Sequence, residues 1–219
     1  MILGIYGAGG TGREVAEIAE QINHKERKWE KIIFIDDTKP IRVVNGISSF
    51  PFSYIIDNYK TQETEIVIAV GEPYYRNLFS EKVLEAGFRL ASIFHPDASI
   101  SPSAQVGCGV ILKKGAIISS NSVVMNNVCI QAYAIIGHDA SVGQNCQISS
   151  FVTIAGNCKI GSNVYVGLNS AVKERVTIGD DVIVSMGSCV IRDVPEGLIV
   201  VGNPARPMKK NEDRIVFRQ

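Results

Sequence analysis

The sequence has few of the residues that would assign a function directly. Its 219 residues include three histidines, one tryptophan and five cysteines, and the cysteines form no C-x-x-C pair. A zinc site or a disulfide framework is therefore not expected. Lysine plus arginine equals aspartate plus glutamate, at 22 each, so the chain has no basic field for nucleic acid or an anionic membrane. No apolar run reaches membrane-spanning length and no basic leader precedes the first strand pattern, so we expect a cytoplasmic protein that binds small molecules.

The second half of the chain carries a period of six residues. An aliphatic residue stands at every sixth position over a stretch of ninety residues, at Ile100, Val106, Leu112, Ile118, Val124, Ile130, Ile136, Val142, Ile148, Ile154, Ile160, Val166, Val172, Ile178, Val184 and Val190. A small or β-branched residue follows four positions after each of them. This period fits neither an amphipathic helix nor a long alternating strand, and it is typical of a coiled prism of short parallel strands.

The repeat therefore predicts a left-handed parallel β-helix built from hexapeptides, which we assign to residues 94–194. Its aliphatic residues point inward and stack from coil to coil, with Cys146 and Cys158 among the small residues of the interior. Glycine often follows the inward residue, where we expect tight corners with unusual backbone angles, at Gly107, Gly137, Gly143, Gly161, Gly167 and Gly179.

The first 93 residues have a different pattern, in which strands alternate with helices. We predict an α/β domain with a parallel sheet, and a C-terminal segment over 195–219. The predicted elements are strands at Ile2–Tyr6, Ile32–Ile35 and Ile66–Val70 and helices at Thr11–Ile22 and Tyr75–Ala86.

A glycine-rich turn follows the first strand and indicates a nucleotide site. Residues 7–12 read G-x-G-x-x-G and open a helix, and such a turn lets phosphate approach the helix N-terminus closely. Asp36 and Asp37 end the second strand, where carboxylates commonly bind a ribose or base, and Gly71 ends the third strand at the same sheet edge. The alternatives are that the glycines of the turn merely pack the helix on the strand and that Gly71 only turns the chain into the next helix. Since about ninety residues make only half of a Rossmann domain, a mononucleotide or nucleotide-sugar fits better than a dinucleotide.

One histidine lies within the repeat. His138 stands at an outward position of its hexapeptide and Asp139 follows it. An imidazole oriented by a carboxylate suits proton abstraction near neutral pH, although a surface histidine beside an incidental aspartate is the alternative.

The whole arrangement resembles the sugar O-acyltransferase family. The resemblance rests on a small α/β domain, a hexapeptide β-helix with His-Asp in its middle coils, and the terminal motif over 201–206. The family includes sialic acid O-acetyltransferases and N-acetyltransferases of nucleotide-linked 4-amino sugars, as in bacillosamine and perosamine biosynthesis. It implies an acetyl-CoA-dependent enzyme of surface glycan biosynthesis, with no metal, in which His138 is the general base and Asp139 its activator. Because no cysteine is placed as an obvious acyl carrier, we expect the acceptor to attack the thioester directly in a ternary complex.

The resemblance also implies where the ligands bind. It places the nucleotide-sugar on Gly9, Gly10, Thr11, Asp36, Asp37 and Gly71. It places acetyl-CoA outside the β-helix, between subunits of a homotrimer, near Leu168, Met186 and Gly187. Outward Tyr133, Phe151 and Tyr165 would be buried in that trimer.

The chain departs from the bacillosamine-type pattern at two positions. Gly137 stands where that pattern has an acidic residue before the histidine, and Gln147 stands where it has a second histidine near the cofactor. A different acceptor sugar, or O-transfer to sialic acid or another sugar, is therefore open.

Other readings have less support. A γ-carbonic anhydrase needs three histidines from the repeat, a sugar-nucleotide pyrophosphorylase needs a larger first domain, and a dehydrogenase needs a second Rossmann half. A trimeric scaffold that only binds a nucleotide-sugar is the non-enzyme alternative.

Overall fold

The computed structural model describes residues 1–217, and residues 218–219 of the predicted C-terminal segment lie outside the described residues. The first domain is the predicted α/β unit. Its elements, in chain order, are β1 (Ile2–Tyr6), α1 (Gly10–Glu26), β2 (Lys31–Ile35), β3 (Arg42–Val44), β4 (Ile47–Phe50), α2 (Phe52–Asn58), β5 (Thr64–Ile68), α3 (Pro73–Glu85) and β6 (Arg89–Leu90).

The sheet of this domain has the order β3-β4-β2-β1-β5-β6. The chain leaves the central strand β1 toward β2 on one side and later returns to β5 on the other, both in parallel. In open α/β sheets, ligands bind beyond the carboxyl ends of the strands at such a point of reversal. Three strands, β3, β4 and β6, and the helix α2 were not predicted.

The second domain is the left-handed β-helix predicted from the hexapeptides. Two-residue strands form three parallel faces, each strand pairing with those one coil before and after it. The first face contains Ile93–Phe94, Ile111–Leu112, Cys129–Ile130, Gln147–Ile148, Tyr165–Val166 and Ile183–Val184. The second face contains Ser99–Ile100, Ile117–Ile118, Ile135–Ile136, Thr153–Ile154, Ala171–Val172 and Cys189–Val190. The third face contains Gln105–Val106, Val123–Val124, Ser141–Val142, Lys159–Ile160 and Thr177–Ile178.

The interior of the prism is a continuous aliphatic stack. The inward residues from Leu112 to Val190 are buried in one cluster, together with Cys146 and Cys158 as predicted. Beyond the last coil, Leu198–Val201 extends the first face and pairs with Arg206–Lys210 in an antiparallel hairpin. The domain boundaries at 93/94 and 194/195 remain a proposal. The first two-residue strand of the β-helix, Ile93–Phe94, and the last, Cys189–Val190, lie close to them.

The expected role of the corner glycines was wrong. From residue 109 to residue 187 the left-handed backbone angles fall on the third residue of each corner, which is most often asparagine, as at Asn127 with φ of 57°, and glycine at three corners. Gly137 and Gly143 have no such angle, and a Cβ at Gly137 would lie 2.6 Å from the Ala155 carbonyl carbon. These glycines are needed because consecutive coils approach each other closely there.

The three corners of the prism carry the functional candidates. The first corner, between the first and second faces, includes residues 131–134 and 185–188; the second, between the second and third faces, includes 137–140; the third, between the third and first faces, includes 125–128 and 143–146.

The α/β domain packs on the first face of the β-helix. Ile111 and Cys129, which point outward from that face, are buried in one cluster with residues of β1 and α1. Lys113 pairs with Glu14 of α1 across the same contact. Within residues 1–217, no helix has the length and apolar character needed to cross a bilayer.

Candidate active site

A cavity of about 700 Å³ opens at the carboxyl ends of β1, β2 and β5. Its lining includes all six residues predicted to bind the nucleotide-sugar, namely Gly9, Gly10, Thr11, Asp36, Asp37 and Gly71. The strand order explains why they meet, since the three parallel strands end at one edge of the sheet. That these residues bind a ligand remains a prediction.

The glycines of the turn after β1 have two different roles. A Cβ on Gly12 would overlap the Gly7 carbonyl, so this glycine is needed to pack α1 on β1. A Cβ on Gly9 or Gly10 would meet nothing within 4 Å. No side chain caps the helix at Gly9, so the first-turn N–H groups of α1 lie beside open space. That arrangement can accept an anionic group such as a diphosphate.

The two aspartates lie at the rim of the cavity, where hydrogen bonds fix their side chains. Asp36 accepts hydrogen bonds from the Thr38 hydroxyl at 2.6 Å and from Arg42 at 2.6 Å. Partial burial acts to raise the pKa of Asp36, but the bonds from Thr38 and Arg42 outweigh it and hold the pKa below its usual value.

Asp37 is held by donors from three separate elements of the α/β domain. It accepts hydrogen bonds from the Tyr6 hydroxyl at 2.5 Å, Lys82 at 2.8 Å and the Phe52 backbone at 2.7 Å. Burial again opposes ionisation, yet the bonds from Lys82, Tyr6 and Phe52 lower the pKa of Asp37. In return, desolvation and the bond to Asp37 raise the pKa of Tyr6 above its ordinary value. Both carboxylates at the rim are therefore ionised before any ligand binds.

Several cavity residues were missed by the sequence analysis. Tyr6, Arg42, Tyr75 and Phe79 all line the cavity. Tyr6 and Phe79 stack with ring centroids 4.5 Å apart, and Tyr75 lies against Phe79 at 5.8 Å. These rings give the cavity an aromatic wall, which adjoins the polar rim where the Tyr6 hydroxyl donates to Asp37.

The second candidate site lies on the second corner of the β-helix. The His138 Nδ1 atom lies 2.7 Å from a carboxylate oxygen of Asp139, and the other oxygen accepts a bond from Asn121 at 3.2 Å. Asp139 adopts a left-handed backbone angle, φ of 57°, which turns its side chain back toward the preceding imidazole. The bonds from His138 and Asn121 hold the pKa of Asp139 below its ordinary value, so the carboxylate stays ionised.

This geometry leaves one imidazole nitrogen available. With Nδ1–H donated to Asp139, the lone pair lies on Nε2, and the His138 side chain is 64% exposed. The ring lies over Gly156 of the next coil, where a Cβ would fall 2.6 Å from Nε2. The pair therefore has the form of an oriented, accessible general base.

The residues predicted to contact acetyl-CoA form a third group, on the first corner. Leu168 and Met186 are exposed one coil apart, and the Gly187 N–H donates to the Leu168 carbonyl at 2.8 Å. Tyr133 and Phe151 stack on the same corner at 5.4 Å and are exposed. Tyr165 packs edge-on against Phe217 of its own chain at 5.4 Å, and its burial in a trimer stays a prediction.

One chain does not bring the three groups together. The nucleotide cavity belongs to a domain seated on the first face, whereas His138 lies on the corner opposite that face. Among residues 1–217, no cluster of three or more His, Cys, Asp or Glu side chains could hold a metal ion.

Comparison with known proteins accounts for both domains. Residues 3–83 match the family described as PglD N-terminal domain, and residues 121–156 match bacterial transferase hexapeptide (six repeats). The acetyltransferase domain of PglB from Neisseria gonorrhoeae FA1090 is 31% identical, with 94% of this chain and 99% of that chain covered and a TM-score of 0.88. The chain belongs to this family of sugar acetyltransferases, which join a PglD-type domain to hexapeptide repeats.

Two further relatives carry more specific names. Perosamine N-acetyltransferase from Caulobacter crescentus, solved as a variant with CoA and GDP-perosamine, is 26% identical over 96% of this chain and 98% of that chain, with a TM-score of 0.88. GDP-perosamine N-acetyltransferase from Escherichia coli O157:H7 is 29% identical over 122 residues, or 55% of each protein. The chain thus matches about half the length of this curated relative.

Proposed function

We propose that the protein transfers the acetyl group of acetyl-CoA to the amine of a nucleotide-linked amino sugar. The observation that carries the proposal is the His138-Asp139 pair, which presents an oriented base on a hexapeptide β-helix. The cavity of the α/β domain supports a nucleotide-sugar acceptor, because its helix N-terminus suits a diphosphate and its aromatic wall suits a base. The N. gonorrhoeae domain has been solved with acetyl coenzyme A, and the C. crescentus enzyme with CoA and GDP-perosamine.

The proposed reaction is a direct transfer. The acceptor nitrogen attacks the thioester carbonyl carbon, His138 Nε2 takes the amine proton, and the C–S bond breaks to release CoA as its thiolate. The new bond is an amide, and the CoA sulfur regains a proton. A backbone N–H near the corner stabilises the developing oxyanion.

No cysteine is needed to carry the acetyl group. Burial raises the pKa of the Cys146 thiol to about 12, so it is a neutral thiol at physiological pH. Cys158 and Cys129 are buried as well, whereas the exposed Cys108 lies on the third corner and the partly exposed Cys189 on the second face, neither of them beside His138 in the chain. A ternary complex is therefore proposed in place of a covalent acetyl-enzyme.

The proposal includes a homotrimer in which the active site lies between chains. The first face of one chain carries the α/β domain, and the base stands on the opposite corner, so a neighbouring chain has to supply His138 to each sugar cavity. The exposed residues Tyr133, Phe151, Leu168 and Met186 supply apolar surface for such contacts and for acetyl-CoA. We place the reaction in the cytoplasm, since acetyl-CoA is an intracellular metabolite.

The decisive experiment follows thiol release from acetyl-CoA. The panel contains UDP-, GDP- and TDP-linked amino sugars and free sialic acid. Release with one nucleotide amino sugar supports the proposal, and release with sialic acid alone would replace it by O-acetyl transfer. Nucleotide-sugar binding without any thiol release would identify a scaffold. Light scattering that shows a monomer at micromolar concentration would contradict the shared active site.

A further inference from the structure

A fully buried arginine joins the two domains and has no part in the reaction described above. Arg76, on α3, has no exposed surface. Its five N–H donors make five hydrogen bonds, all to carbonyl or amide oxygens. No carboxylate within residues 1–217 forms an ion pair with it, in contrast to the Lys113–Glu14 pair across the same interface. Desolvation lowers the pKa of Arg76, because burial disfavours the charged form of the guanidinium.

The five bonds divide between the two domains. One terminal nitrogen donates to the carbonyls of Ile68 at 2.7 Å and Val70 at 3.0 Å, at the end of β5. The other terminal nitrogen and Nε donate to the carbonyl of Asn127, on the third corner of the β-helix, at 2.7 and 3.0 Å. Val70 and the adjacent Gly71 line the sugar cavity. Arg76 therefore ties the rim of the cavity directly to the β-helix.

The partner on the β-helix is itself fixed in orientation. The Asn127 side chain accepts from Arg76 at 2.9 Å and donates to Asn145 at 2.8 Å. Asn145 in turn donates to Asn163, and Asn163 donates to the Asp181 carboxylate, each at 3.2 Å. A guanidinium can only donate and a carboxylate can only accept, so the two ends of this ladder determine which way each amide points.

We infer that Arg76 is a positioning residue for acetyl transfer: it fixes the sugar-binding α/β domain on the β-helix of its own chain, and through the proposed trimer it sets the distance from the bound sugar to the base of the neighbouring chain. The inference rests on the proposed function. The sugar is held by the α/β domain of one chain, and the base by the β-helix of a neighbour that packs on the first chain's β-helix. The attack distance therefore depends on how firmly the α/β domain is joined to its own β-helix. Misplacement by about 1 Å can lower a rate about 100-fold. A planar five-donor group can hold both sides at once, which an ammonium cannot.

The test compares Arg76→Met and Arg76→Lys with a matched control, Lys113→Met. Lys113 is also a buried cation at the domain interface, but it does not line the cavity. We measure Tm, kcat and KM for the accepted nucleotide amino sugar, and Kd for its nucleoside diphosphate, at a temperature where every variant is folded. Arg76→Met should lower kcat about 10- to 100-fold with the nucleotide Kd nearly unchanged. Arg76→Lys should recover part of the loss, whereas Lys113→Met should lower Tm and leave kcat unchanged.

A second variant covers the case in which Arg76→Met does not fold. Asn127→Gly suits the left-handed backbone there. It removes two hydrogen bonds with Arg76, the one that Asn127 accepts from the guanidinium and the one that it donates to the Arg76 carbonyl, so it should lower kcat severalfold while the protein stays folded. Folded Arg76 or Asn127 variants with wild-type kcat would overturn the inference and leave Arg76 a purely structural residue. Wild-type protein without acetyl transfer would overturn the proposed function, and the inference with it.

Discussion

The α/β domain and the β-helix acquire their stability in different ways. Each inward residue of the β-helix packs on its equivalent in the next coil, as Ile136 does on Ile154, so one rule repeated along the chain builds the core. The α/β domain has a separate core on each side of its sheet, and these contain all of its buried aromatic residues. A repeated rule leaves a strong sequence signal, whereas a domain with unique contacts leaves a weak one.

The two candidate sites differ in the same way. The cavity rim is held by contacts distant in sequence, such as Asp37 with Tyr6 and Lys82. The His138-Asp139 pair forms between neighbours on one corner, since the repeat supplies a rigid backbone. We therefore expect changes at the corner to alter catalysis alone, and changes at the rim to alter binding and stability together.

The largest expected effect is on the corner. His138→Ala should lower kcat about 10²- to 10⁴-fold, because a general base contributes that much to proton transfer. The acetyl-CoA Kd and the Tm should stay close to wild type, since the side chain is exposed and packs on no core residue. Steady-state kinetics and calorimetry measure these quantities.

Asp139→Asn is the companion variant. It keeps the shape but removes the charge that orients the imidazole, so its loss should be smaller than that of His138→Ala. If His138→Ala retained most of its activity, the base would have to be sought elsewhere.

The second prediction separates the two kinds of glycine in the turn after β1. Gly10→Glu should raise the Kd for nucleoside diphosphates at least about tenfold, because a carboxylate would repel phosphate at the helix N-terminus. Its Tm should be unchanged or slightly higher, since that charge suits the first turn and the added side chain meets open space.

Gly12→Ala is the control with the opposite outcome. Its Cβ overlaps the Gly7 carbonyl, so it should destabilise the domain by about 1–3 kcal/mol. A Gly10→Glu variant that binds nucleotides normally would show that the turn only packs the helix on the strand.

The third prediction tests whether the position of the His138 imidazole matters when the histidine itself is unchanged. Gly156→Ala would place a methyl group 2.6 Å from His138 Nε2, so the ring has to move. We expect kcat to fall about tenfold with unchanged Tm, because a small displacement of a catalytic group is costly and the backbone there suits alanine. Wild-type kcat in this variant would mean that the ring has room to act from another position.

The repeat predicted the β-helix well because every rung obeys the same spacing. Helices α1 and α3 and the strands β1, β2 and β5 of the α/β domain were also predicted, with ends that differ by a few residues. The hairpin β3–β4 and helix α2 were missed, since residues 38–60 have no sustained period and this edge is held by side-chain contacts such as Asp36 with Arg42.

The candidate site was predictable only where sequence order determines spatial order. Parallel strands end at one edge, so the glycine turn, the acidic pair and Gly71 could be brought together from the sequence. Arg42 and Phe79 could not, because no local pattern links them to the cavity. The sequence of helix α3 is typical of a partly exposed helix, and only the structure shows that the Arg76 guanidinium is buried against Asn127.

The smallest expected effect concerns acid stability and distinguishes the two domains within one molecule. The folded pKa of Asp37 lies below the ordinary value of 3.8, so its carboxylate stabilises the fold fully above about pH 4. This contribution is lost as the pH falls through the lower folded pKa. Asp37→Asn should therefore be less stable than wild type at pH 7, and its stability should fall less on acidification below pH 4.

The single tryptophan makes this measurable for one domain. Trp29 is buried in the α/β domain, so its fluorescence during urea unfolding reports on that domain, while circular dichroism also follows the β-helix. The exposed Asp57→Asn on α2 is the matched control and should keep the wild-type pH dependence. An Asp37→Asn variant whose fluorescence midpoint falls as steeply with pH as wild type would show that the hydrogen bonds of this carboxylate do not govern the acid stability of the cavity rim.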